Sequence, residues 1–265
     1  MTQEIMEQIQ KRLGRRMDKL KKSYTDYQNN PFDKEAAHRI RTDSRKLRSM
    51  LSFLKKVMDG EEYQKLNGEL RKLALIYGPV REVDILTEWC AEIARQKPGL
   101  SDRYRALFNY LGKKRRREMR RTFNKTNVKT AESAIETAET GIRHLTLKER
   151  DDWDAYIKKH LIKKYKRLGD EYENVDLDDF EKVHETRKRA KKVRFSAKYF
   201  GKLSSVRHRK IAKNAKRIQD ELGKITDAGT NRRLLENYAE KAEDGELDKL
   251  FGKMSEEQEE LIAKG

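Results

Sequence analysis

The sequence predicts an all-α protein of two tandem helical-bundle repeats, related by pseudo-two-fold symmetry around a basic central cleft. Three observations predict it. The 265 residues hold only three prolines and few β-branched runs, so strands find little support. Apolar residues recur at helical spacing even though 41% of the chain is charged. And residues 38–53, HRIRTDSRKLRSMLSF, return without a gap as HETRKRAKKVRFSAKY at 184–199, an offset of 146.

On a helix, His38, Arg41, Arg45 and Arg48 share an arc of roughly 80°, opposite Ile40, Leu47, Leu51 and Leu54. In the second copy His184, Arg187, Lys191 and Arg194 lie opposite Val193, Ala197 and Phe200. Each copy is thus an amphipathic helix with a cationic stripe headed by a histidine. Like charges at i, i+4 cost a helix about 0.2–0.5 kcal/mol each, and no acid sits in the arc. One basic face is ordinarily just solvated. A face that repeats position by position points instead to a polyanion ligand.

The elements follow in order. Residues 3–28 form a helix with Ile5, Ile9, Leu13 and Leu20 on its apolar side, ended by Asn29, Asn30 and Pro31. Asp33 caps the first histidine helix, which runs to about Met58. Asp59-Gly60 is a turn, and a third helix runs from Glu61 to Tyr77. Gly78-Pro79 stops that helix, with glycine suiting the C′ position, and starts a fourth that ends at Pro98-Gly99. A fifth helix over 101–123 ends in KKRRREMRR. Residues 126–147 are a connector with a helical pattern at Ala131, Ala134, Ile135 and Ala138.

The second half begins with a helix over 150–172, whose LIKKYKRL (161–168) aligns with LGRRMDKL (13–20) at an offset of 148. Asp178 or Asp179 caps the second histidine helix. A helix then runs from Val206 to Leu222, and ELGKITDAG answers LIYGPVREVD, with Gly223 against Gly78 and Asp227 against Glu82. A last helix from Asp227 leads to an acidic C-terminal tail. The expected organisation is a first repeat at 1–125, the connector at 126–147, and a second repeat with its tail at 148–265.

The formal charge is +18, and residues 236–265, with ten acids and four bases, leave +24 on the rest. Such a field attracts nucleic acid, anionic membrane or another polyanion. Cys90 stands alone, so an intrachain disulfide is excluded and a reducing cytoplasm is expected. No secretory signal and no stretch near the ~20 apolar residues of a membrane span appears. His144, His160 and His208 lack an i+3 or i+4 ligand partner, so no metal is expected.

HxxRxxxRKLR at 38–48, HxxRxxxKKVR at 184–194, GPVREVD at 78–84 and ELGKITDA at 221–228 resemble the CHAD family, the conserved histidine α-helical domain. The resemblance covers about residues 5–240 and implies two helical repeats that bind inorganic polyphosphate, with no catalytic activity and no cofactor. Glu82 stands where the family usually has aspartate. Many members also carry a triphosphate-tunnel enzyme domain; this chain starts directly in the helical repeat, so none is expected.

Polyphosphate offers no base or sugar to read, so its site should be long, cationic and rich in multidentate donors. The candidates are His38, Arg41, Arg45, Lys46 and Arg48, with His184, Arg187, Lys188, Lys191, Lys192 and Arg194. Arg15, Arg16 and Lys19, matched by Lys163, Lys164 and Arg167, form walls. Lys65 and Lys72, matched by Lys210 and Arg217, are a weaker set. Lys113–Arg121 is either a further contact or an exposed basic face. In GPVREVD, Arg81 and Asp84 read as a structural ion pair and stay outside the site. Nearby arginines should hold both histidines neutral until phosphate binds.

RNA is the competing ligand, although base stacking wants aromatics among the cations and only Phe195 is close. A phosphate-transfer enzyme is the other rival, but GxxxxGK[ST] is absent.

Overall fold

The computed structural model describes residues 2–96, 101–240 and 245–263. The helices are α1 (Thr2–Asn29), α2 (Lys34–Leu54), α3 (Gly60–Ile76), α4 (Gly78–Gln96) and α5 (Ser101–Thr122). They continue with α6 (Lys125–Arg143), α7 (Trp153–Glu173), α8 (Phe180–Phe200), α9 (His208–Ala239) and α10 (Gly245–Ala263). Among the described residues there is no strand, so the chain is all-α. None of these helices is long and apolar enough to cross a membrane. The break expected at Pro98-Gly99 lies outside the described residues.

Side-chain caps set several boundaries. Asp33 accepts from Glu35 N at 2.9 Å and Asp59 from Glu61 and Glu62 N, both at 2.9 Å. Asp179 accepts from Lys182 N at 3.0 Å and so caps α8. Asn124 accepts from Asn127 N at 2.7 Å and starts the helix of the connector.

Three expectations change. First, Gly78 does not end α3 in a left-handed conformation, because no described residue has positive φ. It opens α4, and a Cβ there would lie 3.4 Å from Arg41 Nη1, an ordinary contact, so the guanidinium packs on this glycine without requiring it. Second, there is no turn at Gly223. One helix, α9, runs through it from His208 to Ala239. The first copy has Pro79 after its glycine, which removes an N–H and fixes the start of a helix; the second has Lys224. A glycine alone costs a helix only about 1 kcal/mol and does not break it. Third, the acidic C-terminal segment is a docked helix, α10.

The chain forms two compact units. Unit 1 comprises Met1–Arg81, Glu118–Lys166 and Lys192–Asn214. In it α1 packs on α2, α2 on α3, and α6 on both α3 and α1. Leu13, Leu20, Ile40, Leu47, Leu66 and Leu70 are fully or almost fully buried there. The small residues of α6 have a steric reason. A Cβ on Gly141 would meet Leu66 Cδ2 at 2.5 Å, and Ala131, Ala134 and Ala138 are buried on the same helix. Where α2 and α8 end, Phe53 stacks on Phe200 with centroids 4.7 Å apart, and Tyr156 meets Phe53 edge-on at 6.2 Å.

Unit 2 comprises Glu82–Arg117, Arg167–Lys191 and Ala215–Gly265. Its core joins Leu86 and Cys90 of α4, Leu107 and Leu111 of α5, Leu235 and Tyr238 of α9, and Leu247, Leu250, Phe251 and Met254 of α10. Asp248, Glu256 and Glu259 are exposed on the other side of this amphipathic helix.

Candidate functional site

In unit 1 three helices bring cations together around one buried acid. Asp43, on the inner side of α2, accepts from Arg16 Nη1 of α1 at 2.9 Å, from Ser23 Oγ at 3.1 Å and from Lys46 Nζ at 3.2 Å. The Asp43 and Arg16 side chains are 10% and 14% exposed. The Arg16 guanidinium also lies over the Tyr199 ring of α8, 5.2 Å from its centroid. Burial lowers the Lys46 pKa, and Arg16 and Lys198 lower it further, against the opposing pull of Asp43. Arg194 and Arg16 both act on Tyr199. Arg16 and Lys46 from the first repeat thus share one neighbourhood with Arg194 and Lys198 from the second.

The cationic surface extends along α1. Arg12 Nη1 donates to the Tyr199 carbonyl at 3.1 Å, and burial, then the charge of Arg15, lowers its pKa. Arg12, Arg15, Lys11, Lys202 and Gln8 line a shallow groove. Lys19 is exposed on the same helix.

The rest of the first stripe is held by specific acceptors. Arg41 Nη1 donates to the Gly78 carbonyl at 2.5 Å. Arg48 Nε donates to Asn67 Oδ1 at 2.9 Å, and burial and then Arg71 lower its pKa. Arg45 is exposed. His38 Nε2 lies 3.2 Å from Thr42 Oγ1. Its pKa is lowered, first by burial and then by Arg81, Arg41 and Lys46, with Glu35 opposing.

In unit 2 the second stripe is laced with acids. Arg187 Nη1 donates to Thr226 Oγ1 at 2.5 Å and to Asp227 Oδ1 at 2.9 Å, and Nη2 to Asp227 Oδ2 at 3.2 Å. As with Arg41 and Gly78, this arginine packs on a glycine: a Cβ on Gly223 would lie 3.5 Å from Arg187 Nη2. Lys188 bonds Glu185 at 2.7 Å. Arg189 pairs with Glu171, which also accepts from Arg167 Nε at 3.0 Å. Arg217 donates to both oxygens of Glu221 at 2.9 Å. His184 stacks on Phe180, centroids 6.0 Å apart. Burial and then Lys188, Arg187 and Lys191 lower its pKa, with Glu185 opposing. For both histidines the neutral form is favoured in the expected direction, but burial leads and the arginines follow.

The remaining candidates are dispersed. In unit 1 Lys163, Lys192 and Lys210 are exposed and Lys164 is half-buried. Lys72 bonds Glu69 at 2.7 Å. In the basic run, Arg115 Nε donates to Asp84 Oδ1 at 2.7 Å, a side chain 1% exposed.

Six participants lie outside the expected site: Lys11, Arg12 and Lys202 of the groove, and Lys198, Arg81 and Asp43. Lys198 lies four residues beyond Arg194 and continues the second stripe, so extending the period would have found it. Arg81, assigned to a local ion pair, lies 3.5 Å from Glu35 and acts on His38. Asp43 stands three residues before Lys46, which is a local signal, but its partners Arg16 and Ser23 are 27 and 20 residues away.

The CHAD domain family model matches residues 11–236. Among solved structures, the chain is similar to the crystal structure of the CHAD domain from the plant Ricinus communis. The TM-score is 0.76 at 18% identity, over 97% of this chain and 86% of that one. It is also similar to PptA from Streptomyces chartreusis, with a TM-score of 0.72 at 12% identity, over 97% and 95% of the two chains. At these identities the likeness shows the fold alone. No curated protein matches.

Proposed function

The chain belongs to the CHAD domain family, and from that premise we propose that it binds inorganic polyphosphate without transforming it, on the unit 1 surface centred on Arg16, Lys46 and Lys198. The observation that carries the reading is the convergence of Arg16 of α1 and Lys46 of α2 on buried Asp43, with Lys198 of α8 close enough to lower the Lys46 pKa. Cations gathered at this density repel one another, and an anion relieves the repulsion. Arg12, Arg15, Lys11 and Lys202 continue the track, so a long chain meets successive donors and its affinity grows by many contacts. His184, Arg187 and Lys191 form a separate cationic stripe in unit 2.

Asp43 already accepts from three donors, which leaves it poorly suited to act as a base or hold a metal ion. A single cysteine suits the reducing cytoplasm, where the reading places the protein. RNA is a second reading, favoured by Phe195 and Tyr199. These rings lie 6.3 Å apart beside the cluster, with Arg194 over one and Arg16 over the other.

Competition decides between the two. Labelled long-chain polyphosphate is titrated into the protein, then displaced with unlabelled polyphosphate or RNA at equal phosphate and salt. Polyphosphate should be the better competitor, and Arg16→Ala and Lys46→Ala should both weaken binding. If RNA displaces the label at lower phosphate than polyphosphate does, the ligand assignment is wrong.

A further inference from the structure

We infer that Asp43, an acid, is a positioning residue of the polyanion site: it fixes the Arg16 and Lys46 head groups so that they meet phosphate together. The inference rests on the polyphosphate reading for its ligand, but the geometry stands by itself. Burying a carboxylate is unfavourable unless charged or hydrogen-bonding partners compensate. Asp43 has three such partners, and two of them are the site's own cations. Each holds one head group in place. Arg16 spends Nη1 on Asp43 and stacks on Tyr199, and its buried Nε has no protein acceptor among the described residues.

The two repeats differ at this point. The second-copy position of Asp43 is Arg189, at the offset of 146, and that of Ser23 is Glu171, at the offset of 148. There the acid comes from the other helix, since Glu171 of α7 pairs with Arg189 of α8. The fold therefore accommodates a carboxylate from either helix at this place. Only the first arrangement places the carboxylate beneath Arg16 and Lys46. A purely structural need would be met equally well by the second.

Two opposed outcomes follow. If affinity simply tracks charge, removing Asp43 tightens binding, because the formal charge rises by one from +18. If Asp43 positions its cations, removing it weakens binding, because Lys46 is repelled by Arg16 and Lys198 and must be ordered by the ligand.

The test uses the full chain with Asp43→Asn and the double variant Ser23→Glu/Asp43→Arg, which installs the second repeat's arrangement. Binding of long-chain polyphosphate is measured beside melting temperature. Lys46 acylation by an amine reagent at mild alkaline pH is read by mass spectrometry without ligand. We expect both variants to bind about tenfold more weakly, equivalent to about 1.4 kcal/mol, and the double variant to melt close to wild type. Lys46 should label faster in both, because Asp43 raises its pKa and its loss frees more neutral amine. Unchanged or tighter binding by the double variant overturns the inference and leaves polyphosphate binding standing. Unchanged Lys46 labelling overturns it whatever the ligand does. No binding by wild type sinks the functional reading instead, and the labelling arm still decides whether Asp43 positions Lys46.

Discussion

Lowering the pH from about 8 to about 6 should tighten polyphosphate binding, and His38 and His184 set the sign. In the free protein both imidazoles have pKa values below the ordinary 6.5. Burial disfavours the charged form of each. His38 also faces Arg81 from α4 and Arg41 and Lys46 from its own helix, against Glu35 alone. His184 faces Lys188, Arg187 and Lys191, against Glu185, with Phe180 on its ring. A bound polyanion reverses the local field and raises both pKa values in the complex. Between the free and bound pKa the complex takes up protons, so affinity rises as pH falls, and it levels off below the free pKa. The ceiling is about tenfold per pH unit for each histidine, or about a hundredfold for the two. Folding runs the other way. The unfolded chain binds these protons more readily, so the ligand-free protein loses stability as pH falls through 6.5 and below. The thermal shift given by polyphosphate should therefore grow on acidification. Calorimetric titration in buffers of different ionisation heat counts the protons taken up, and His38→Gln with His184→Gln should abolish the uptake. Equal affinity at both pH values, or a dependence untouched in the double variant, refutes the reasoning.

Two glycines should respond oppositely to alanine. Gly223→Ala places a Cβ in ordinary contact with Arg187, at 3.5 Å, within a continuous helix, so it should stabilise by about 1 kcal/mol and raise the melting temperature by about 2–4 °C. Gly141→Ala drives a Cβ to 2.5 Å from Leu66 Cδ2 and should cost about 1–3 kcal/mol by the same calorimetry. Asp227→Asn should tighten polyphosphate binding a few-fold, because Arg187 keeps Thr226 as an acceptor while losing a neutralising charge that is half exposed; weaker binding would show that Asp227 positions Arg187. Burial pushes the Cys90 thiol up to about 12, so thiol reagents at about pH 8 should react slowly. Deleting α10 uncovers the cluster that holds Cys90, and labelling should accelerate.

The all-α fold was legible because helical periodicity survives a high charge content, and α2, α3 and α8 begin where aspartates offered caps. Gly223 does not stop a helix because it lacks the proline that makes Gly78-Pro79 a boundary. Leu247, Leu250, Phe251 and Met254 mark α10 as a helix with something to bury, although the segment is acidic in composition. The cationic stripes were legible for the same reason as the helices, since i, i+3 and i+4 spacing is local. The partners that fix each cation were not. Asn67, Tyr199 and Asp43 reach the cations they hold from 19, 187 and 27 residues away, and no periodicity records such distances.

Those partners separate two stripes that look alike in sequence. In the first repeat several arginines are held by neutral acceptors: Arg41 by the Gly78 carbonyl, Arg48 by the Asn67 amide, Arg12 by the Tyr199 carbonyl. A neutral acceptor satisfies an N–H and fixes the guanidinium without cancelling its charge. In the second repeat the acceptors are carboxylates: Asp227 for Arg187, Glu185 for Lys188, Glu171 for Arg189, Glu221 for Arg217. Each of these satisfies the donor and also removes most of its field at a distance. The field of Arg12 and Arg48 therefore survives at a distance, whereas that of Arg187 and Arg217 is largely cancelled. By this reasoning the first stripe sets most of the affinity.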